Sequence, residues 1–307
     1  MVKKIFHQHR TAWVLAALAL ILAVSMAFSP MRALATSFLG LFRVQQIAVV
    51  QVNPGDLPEQ LGSSAQLQEL ISQNVKMQQD GQPVNAASAD EASQIAGFNV
   101  RLPGGMNTSP NIEVQPSMHA EITVDSQRMQ ALLNEIGQPD VKIPADLNGA
   151  VVTVDVARSV TASYGNCTFD QAQARQQGYD PDNPTTAQLP QCTTFVQVPS
   201  PEVNAPPGID IEKLGEALLQ VLGMSPEDAA HFSQNIDWTT TLVLPIPSYG
   251  TSYQDYTVDG VTGTLILQTG NGQSSQYMLM WVKDGIVYAL TGPGGVSRVD
   301  PIARSIH

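Results

Sequence analysis

Little in this 307-residue sequence is of the kind that performs chemistry. Of its five histidines, His119, His231 and His307 are not spaced with a second histidine or a cysteine as metal ligands are, and His7 and His9, near the N-terminus with no cysteine nearby, read as part of a solvated tail. There is no G-x-S-x-G turn to expose a nucleophilic serine and no G-x-x-x-x-G-K phosphate loop. Gly292-Pro293-Gly294-Gly295 lacks the Lys-Ser/Thr pair that grips phosphate and reads as a plain turn. Asp180, Asp182 and Asn183 form a compact oxygen cluster without the far glutamate that a calcium loop needs. Carboxylate pairs assembled in three dimensions would leave no local trace, so hydrolysis stays open without being marked. The residues by themselves therefore offer no catalytic, cofactor-binding or metal-binding group. Lysine and arginine number 15 against 27 aspartates and glutamates, a net charge of −12, which excludes a phosphate-backbone partner such as nucleic acid.

What is present begins with a long apolar run. Residues 11–28, TAWVLAALALILAVSMAF, carry no charge, and as a helix they reach roughly 27 Å, about the thickness of a bilayer's hydrocarbon core. Lys3, Lys4 and Arg10 precede the run and an acidic chain follows it, which gives an inside N-terminus and an outside C-terminus. Ala33-Leu34-Ala35 also fits a signal-peptide cleavage site, and either reading exports the rest of the chain. The expected layout is a cytoplasmic tail over 1–10, a membrane helix over 11–30, a juxtamembrane segment over 31–42 and an extracytoplasmic domain over 43–307. Cys167 and Cys192 are the two cysteines, and in an oxidising compartment they are expected to pair. Two free thiols are the alternative; a zinc site lacks the spacing for it. The loop they bracket is polar and proline-bearing, and closing it would contribute roughly 3 kcal/mol.

Beyond residue 43 the pattern alternates between strand and helix. Strands are expected at 43–52, 98–103, 118–125, 149–165 and 193–199, and four more after residue 238: TTTLVLPIP, VTGTLILQTG, YMLMWVK and IVYALTG. Leu57, Leu61, Leu67, Leu70 and Ile71 recur at helical spacing over 57–77, and GQPVNAASA then reads as a linker. Further helices are expected at 90–96, capped by Ser88 or Asp90 and stopped by Gly97; at 126–136, capped by Asp125 or Ser126; at 211–222; at 226–236, capped by Ser225; and near 298–306. Asp284-Gly285 marks a two-residue hairpin. Joints this short exclude parallel crossovers, so the fold class is α+β with a mainly antiparallel sheet packed with helices. Along the last hairpin Tyr277, Leu279 and Trp281 fall on one face and Met278, Met280 and Val282 on the other, so both faces are apolar. One is expected to pack on helices, the other to be a groove or an exposed binding patch.

Two stretches carry a resemblance. DEASQIAGFNVRLPGGM and LMWVKDGIVYALTGPGGVSRVDPIARSI resemble the opening and the ending of an uncharacterised extracytoplasmic domain that follows the membrane helix of some bacterial anti-sigma factors. On that match Phe98, Pro103, Trp281, Gly285, Tyr288, Ala303 and Ser305 occupy the family's recurring positions, and they look structural. The zinc-binding cytoplasmic module that holds a sigma factor in that family has no counterpart in a ten-residue tail, so this chain alone would not sequester one. The resemblance implies a non-catalytic sensing or binding domain anchored in the membrane of a bacterium, whose partner is the bilayer together with another membrane protein or an apolar ligand. A carrier of lipid or lipoprotein is the first alternative and an envelope hydrolase the second.

Overall fold

A computed structural model describes residues 44–52, 72–135, 139, 141–143, 147–167, 192–206, 211–269 and 275–306. The expected tail, membrane helix and juxtamembrane segment lie outside the described residues, as do the leucines of 57–70 and the cluster at Asp180, Asp182 and Asn183. Among the described residues no helix is long and apolar enough to cross a membrane. The chain divides into two compact units that are interleaved in sequence. Among the described residues, one takes those of 44–78, 118–156 and 201–245, the other those of 79–117, 157–200 and 246–306.

The first unit is built around a four-stranded sheet in the order β2-β5-β6-β9, made of β2 (Val75–Asp80), β5 (Ser117–Thr123), β6 (Val151–Val156) and β9 (Glu202–Asn204). A separate pair joins β1 (Gln46–Val52) to β10 (Thr241–Pro247). Its helices are α2 (Ser126–Glu135), α3 (Ile211–Val221) and α4 (Pro226–Gln234). Asp125 Oδ1 accepts the Arg128 N–H at 2.9 Å and starts α2; Ser225 Oγ accepts the Asp228 N–H at 3.1 Å and starts α4, with Pro226 where its missing N–H costs nothing. Gly215, Ala217 and Leu219 of α3 are buried, and Gly215 lies directly under the Trp238 ring.

The second unit is an eight-stranded sheet, every neighbouring pair antiparallel, in the order β11-β12-β13-β14-β8-β7-β4-β3. The strands are β3 (Val84–Ala86), β4 (Asn111–Gln115), β7 (Ser159–Gly165), β8 (Cys192–Pro199), β11 (Thr251–Val258), β12 (Val261–Gln268), β13 (Gln276–Lys283) and β14 (Ile286–Pro293). Helices α1 (Ala89–Ala96) and α5 (Val296–Ala303) share one core with it. Ser88 caps α1 by accepting the Glu91 N–H at 3.2 Å, and Gly97 ends it in the left-handed region. Phe195, Leu265, Leu279, Trp281 and Leu290, on four adjacent strands of one sheet face, are fully buried, together with Ala92 of α1 and Val299 of α5.

The antiparallel α+β class is thus observed, with several local differences. Only 72–74 of the described part of the expected 57–77 helix is helical; from Val75 the sequence VKMQQD forms β2, because the leucine spacing has stopped and the backbone joins a sheet edge. The expected linker contains β3. The long stretch over 149–165 is two strands broken at Ala157-Arg158, β6 pairing with β5 and β9 and β7 pairing with β4 and β8. Residues 98–103 do not form a strand, and the hydrogen bonds that replace a ladder there are described next.

Candidate functional site

The residues of the two resemblance motifs, some 200 positions apart, meet in the second unit. The chain leaving α1 is turned by Ser93, whose Oγ donates to Ala89 O at 2.7 Å and accepts the Val100 N–H at 2.8 Å. At Arg101 the backbone meets a side chain instead of a strand. Gln197 Oε1 accepts the Arg101 N–H at 2.9 Å, and Gln197 Nε2 donates to Arg101 O at 2.8 Å. The Gln197 amide thereby imitates a peptide group of a neighbouring strand, and its side chain is fully buried. Two residues on, Pro103 forms an isolated bridge with Ile306, the Gly104 N–H donates to Ser305 O at 3.1 Å, and Ser305 Oγ donates to Gly104 O at 2.9 Å. Side chains and one bridge therefore satisfy this backbone without a ladder.

The Arg101 side chain ties in a third element. Its guanidinium forks onto both carboxylate oxygens of Asp259, with Nη2 to Oδ1 at 3.0 Å, and Nη2 also donates to Ile306 O at 3.0 Å. Lys283 Nζ donates to Asp259 Oδ1 and to Asp259 O, both at 2.8 Å. Hydrogen bonds from Arg101 and then Lys283 hold the Asp259 carboxyl below its ordinary range, against the opposing effect of burial. The same bond holds the Arg101 pKa above its ordinary value. Asp259 is the first residue of a tight turn, at φ 57° with Gly260 at 78°, and Asp284-Gly285 repeats this geometry at 51° and 76°. Both hairpins are therefore of the doubly positive type that glycine in second place favours.

Beneath this clasp lies an aromatic stack. Trp281 and Tyr288 are directly opposite across β13 and β14, with ring centroids 5.1 Å apart, and Phe195 stands 5.8 Å from Trp281 and 5.9 Å from Tyr288. The Arg101 guanidinium is 5.9 Å from the Tyr288 ring centre. Burial pushes the Tyr288 phenol up. Trp281 Nε1 is buried without a hydrogen-bond partner among the described residues. Tyr256 OH donates to Asp300 Oδ1 at 2.7 Å and fastens β11 to α5, and burial, with that bond second, pushes its pKa to about 12. All seven motif positions lie in this unit: Pro103 and Ser305 in the stitch, Trp281 and Tyr288 in the stack, Gly285 in the turn, Ala303 buried and Phe98 packed against the core. Nothing in the sequence alone singles out Arg101, Gln197, Asp259 and Lys283. The available signals were a second Asp-Gly turn at 259–260 and a glutamine at an inward position of β8, in step with Thr193 and Phe195.

Cys167 and Cys192 form a disulfide, with the Cα atoms 4.9 Å apart. Cys192 opens β8 and pairs with Gly165 at the end of β7, so the bond closes the mouth of the 167–192 loop beside the sheet. On the last hairpin Tyr277, Leu279 and Trp281 are in the core, whereas on the other face Met280 is buried and Met278 is 37% exposed.

The first unit holds a different cluster. His119 and Asp155 are register partners on β5 and β6, and His119 Nδ1 is 2.6 Å from Asp155 Oδ1. His119 Nε2 is 3.9 Å from Glu121 Oε1, and Glu121 is 3.9 Å from Lys76 Nζ. The hydrogen bond to Asp155 raises the His119 pKa, and the group is open to solvent. A carboxylate that orients an imidazole is half of a general-base arrangement, but no hydroxyl or thiol is recorded against Nε2 among the described residues. Among the described residues no three His, Cys, Asp or Glu side chains are placed to hold a metal ion.

Compared with protein-family models, curated proteins and solved structures, the chain matches none.

Proposed function

We propose that this chain is a non-catalytic binding or sensing module displayed outside the cytoplasm of a bacterium and held there by its apolar N-terminal run, as the resemblance to the outer domain of anti-sigma regulators implies. The observation that carries the reading is the Cys167–Cys192 disulfide, a bond that persists in oxidising compartments and that cytosolic reductants remove. The convergence of both resemblance motifs on one clasp supports it, since residues recurring for structural reasons should build one connected frame. A lipid carrier would need a hollow beneath α1 and α5. That space is instead filled by Phe195, Leu265, Leu279, Trp281 and Leu290, each at 0% exposure, which favours a partner bound at the surface over a ligand held inside.

The test is made on the full chain expressed in a bacterium. Intact cells and spheroplasts are treated with a protease, and thiols are counted with a maleimide before and after reduction. The expected result is a membrane-bound chain digested from the outside, with both thiols blocked until reductant is added. A chain protected in spheroplasts with two reactive thiols would overturn the reading.

A further inference from the structure

We propose that the free edge of β11 pairs with the same edge of a second copy of this chain, joining two eight-stranded sheets into one about a two-fold axis at Gln254. Among the described residues β11 is the terminal strand of its sheet, and it is matched residue for residue with β12 from Thr251↔Gln268 to Val258↔Val261, without a bulge. The doubly positive Asp259-Gly260 turn makes Val258 and Val261 a hydrogen-bonded pair. By alternation Tyr256, Gln254 and Ser252 also bond to β12, and the Thr269 N–H donating to Gly250 O at 2.8 Å continues the same phase. The N–H and C=O groups of Thr251, Tyr253, Asp255 and Thr257 therefore point away from the sheet.

Such an edge invites pairing unless something blunts it, usually brevity, proline, lysine or a bulge. The opposite edge, β3, is three residues long, and the edge strand β2 of the other sheet carries Lys76. β11 runs eight residues, TSYQDYTV, with no proline, no lysine and one charge. Residues 252–255 and 257 are exposed, Tyr253 at 47%.

The occupant follows from the sequence of the edge itself. An antiparallel pairing that uses all four outward residues puts Gln254 opposite Gln254 of the second copy, Tyr253 opposite its Asp255, and Thr251 opposite its Thr257. No like charges face each other: each carboxylate meets a phenol, each threonine a threonine, and the two amides meet on the axis. On the same face Tyr253 continues a row with Ile266 and Met278, the latter 37% exposed, so pairing would cover the outer side of an apolar strip. This inference uses the strand register only and holds whether or not the export reading does.

The test is cysteine cross-linking with copper-phenanthroline of the full chain in lysates of the cells that express it, soluble and membrane fractions alike. Both native cysteines are already joined, so an introduced cysteine is the one free thiol. Gln254→Cys places two Cα atoms about 4.5 Å apart across a non-hydrogen-bonded pair, within disulfide reach. Ser252→Cys would leave its copies about 13 Å apart and Asp255→Cys about 8 Å, both out of reach. The expected result is a disulfide-linked homodimer at 254, about fivefold or more above 252 and 255. Tyr253→Pro removes an N–H that β12 does not use, and in the Gln254→Cys background it should abolish the cross-link while the Cys167–Cys192 bond and the tryptophan fluorescence persist. Separately, Gln254→Lys would set two cations against each other on the axis and should shift the sedimenting species to monomer. A monomer at every concentration tested, equal cross-linking at 252, 254 and 255, or a cross-linked product of another mass would overturn self-pairing.

Discussion

Gln197 allows the clasp to be tested with a pH-dependent signature. Its buried amide both accepts from and donates to the backbone of Arg101, and a carboxylic acid has the same shape with one O–H donor and one carbonyl acceptor. Gln197→Glu should therefore fit when protonated and fail when ionised, because a buried carboxylate would face the Arg101 carbonyl without a proton to offer it. Keeping the acid neutral at pH 7 against an ordinary pKa near 4.3 costs up to about 3.7 kcal/mol, and desolvation sets that limit. The folded-state pKa of the introduced acid lies above its unfolded value. The variant's stability relative to the native chain is thus fullest below about pH 4 and falls by about 1.4 kcal/mol per pH unit above it, until ionising in place costs less. Gln197→Met fills the same volume and loses both bonds. It should cost about 2–4 kcal/mol at every pH, from two neutral hydrogen bonds and the backbone groups left unmatched. Urea unfolding followed by tryptophan fluorescence between pH 4 and 8 reports the difference, since Trp281 lies in the same core. Parallel profiles for the two variants, or a Gln197→Glu profile that is flat, would refute the account of Gln197 as a stand-in for a strand.

Three further outcomes are expected. Reducing the Cys167–Cys192 bond, or replacing both residues by alanine, should lower stability by about 3 kcal/mol, read as a lower urea midpoint with reductant. Gly215→Ala would gain about 1 kcal/mol of helix propensity, but the new Cβ would fall 2.2 Å from the Trp238 ring. Overpacking should outweigh the gain and leave the variant about 1–3 kcal/mol less stable in thermal melts, and a more stable variant would show that the ring can move aside. Asp259 has a lowered folded-state pKa, so its ion pairs contribute fully above the ordinary aspartate range and are lost as pH falls through the folded value. Asp259→Asn should accordingly flatten the acid limb of the stability profile, measured by unfolding midpoints from pH 2 to 6.

Much of the fold is legible where local chemistry decides. Ser88, Asp125 and Ser225 start their helices because a side-chain oxygen next to an open N–H needs no distant partner. Asp284-Gly285 is readable for the same reason. The sequence is silent where pairing is long-range. Thr251–Val258 is polar and exposed and lacks the alternation of a half-buried strand, yet its turn fixes it to β12. Val151–Val156 and Ser159–Gly165 look like one strand because both alternate, and the break comes from their membership of different sheets. Residues 98–103 have strand-like composition, but Val100 bonds to the Ser93 hydroxyl and Arg101 to the Gln197 amide, 96 residues further on and outside any local window. In the site, the seven motif positions are named by the resemblance alone, and five of them are aromatic, glycine or proline. Arg101, Gln197 and Asp259 could not be picked out, since their partners are 96 and 158 residues away along the chain.

The interleaving of the two units bears on how the protein comes to exist. β14 occupies the middle of the eight-stranded sheet, between β13 and β8, but it is made of residues 286–293, whereas its neighbour β8 is complete by residue 199. While the ribosome adds the next eighty-odd residues, Phe195 and the unpaired side of β8 have no cover. Neither unit is a continuous stretch that could fold first and wait. Folding must therefore be largely post-translational and slow, as nonlocal strand pairing is.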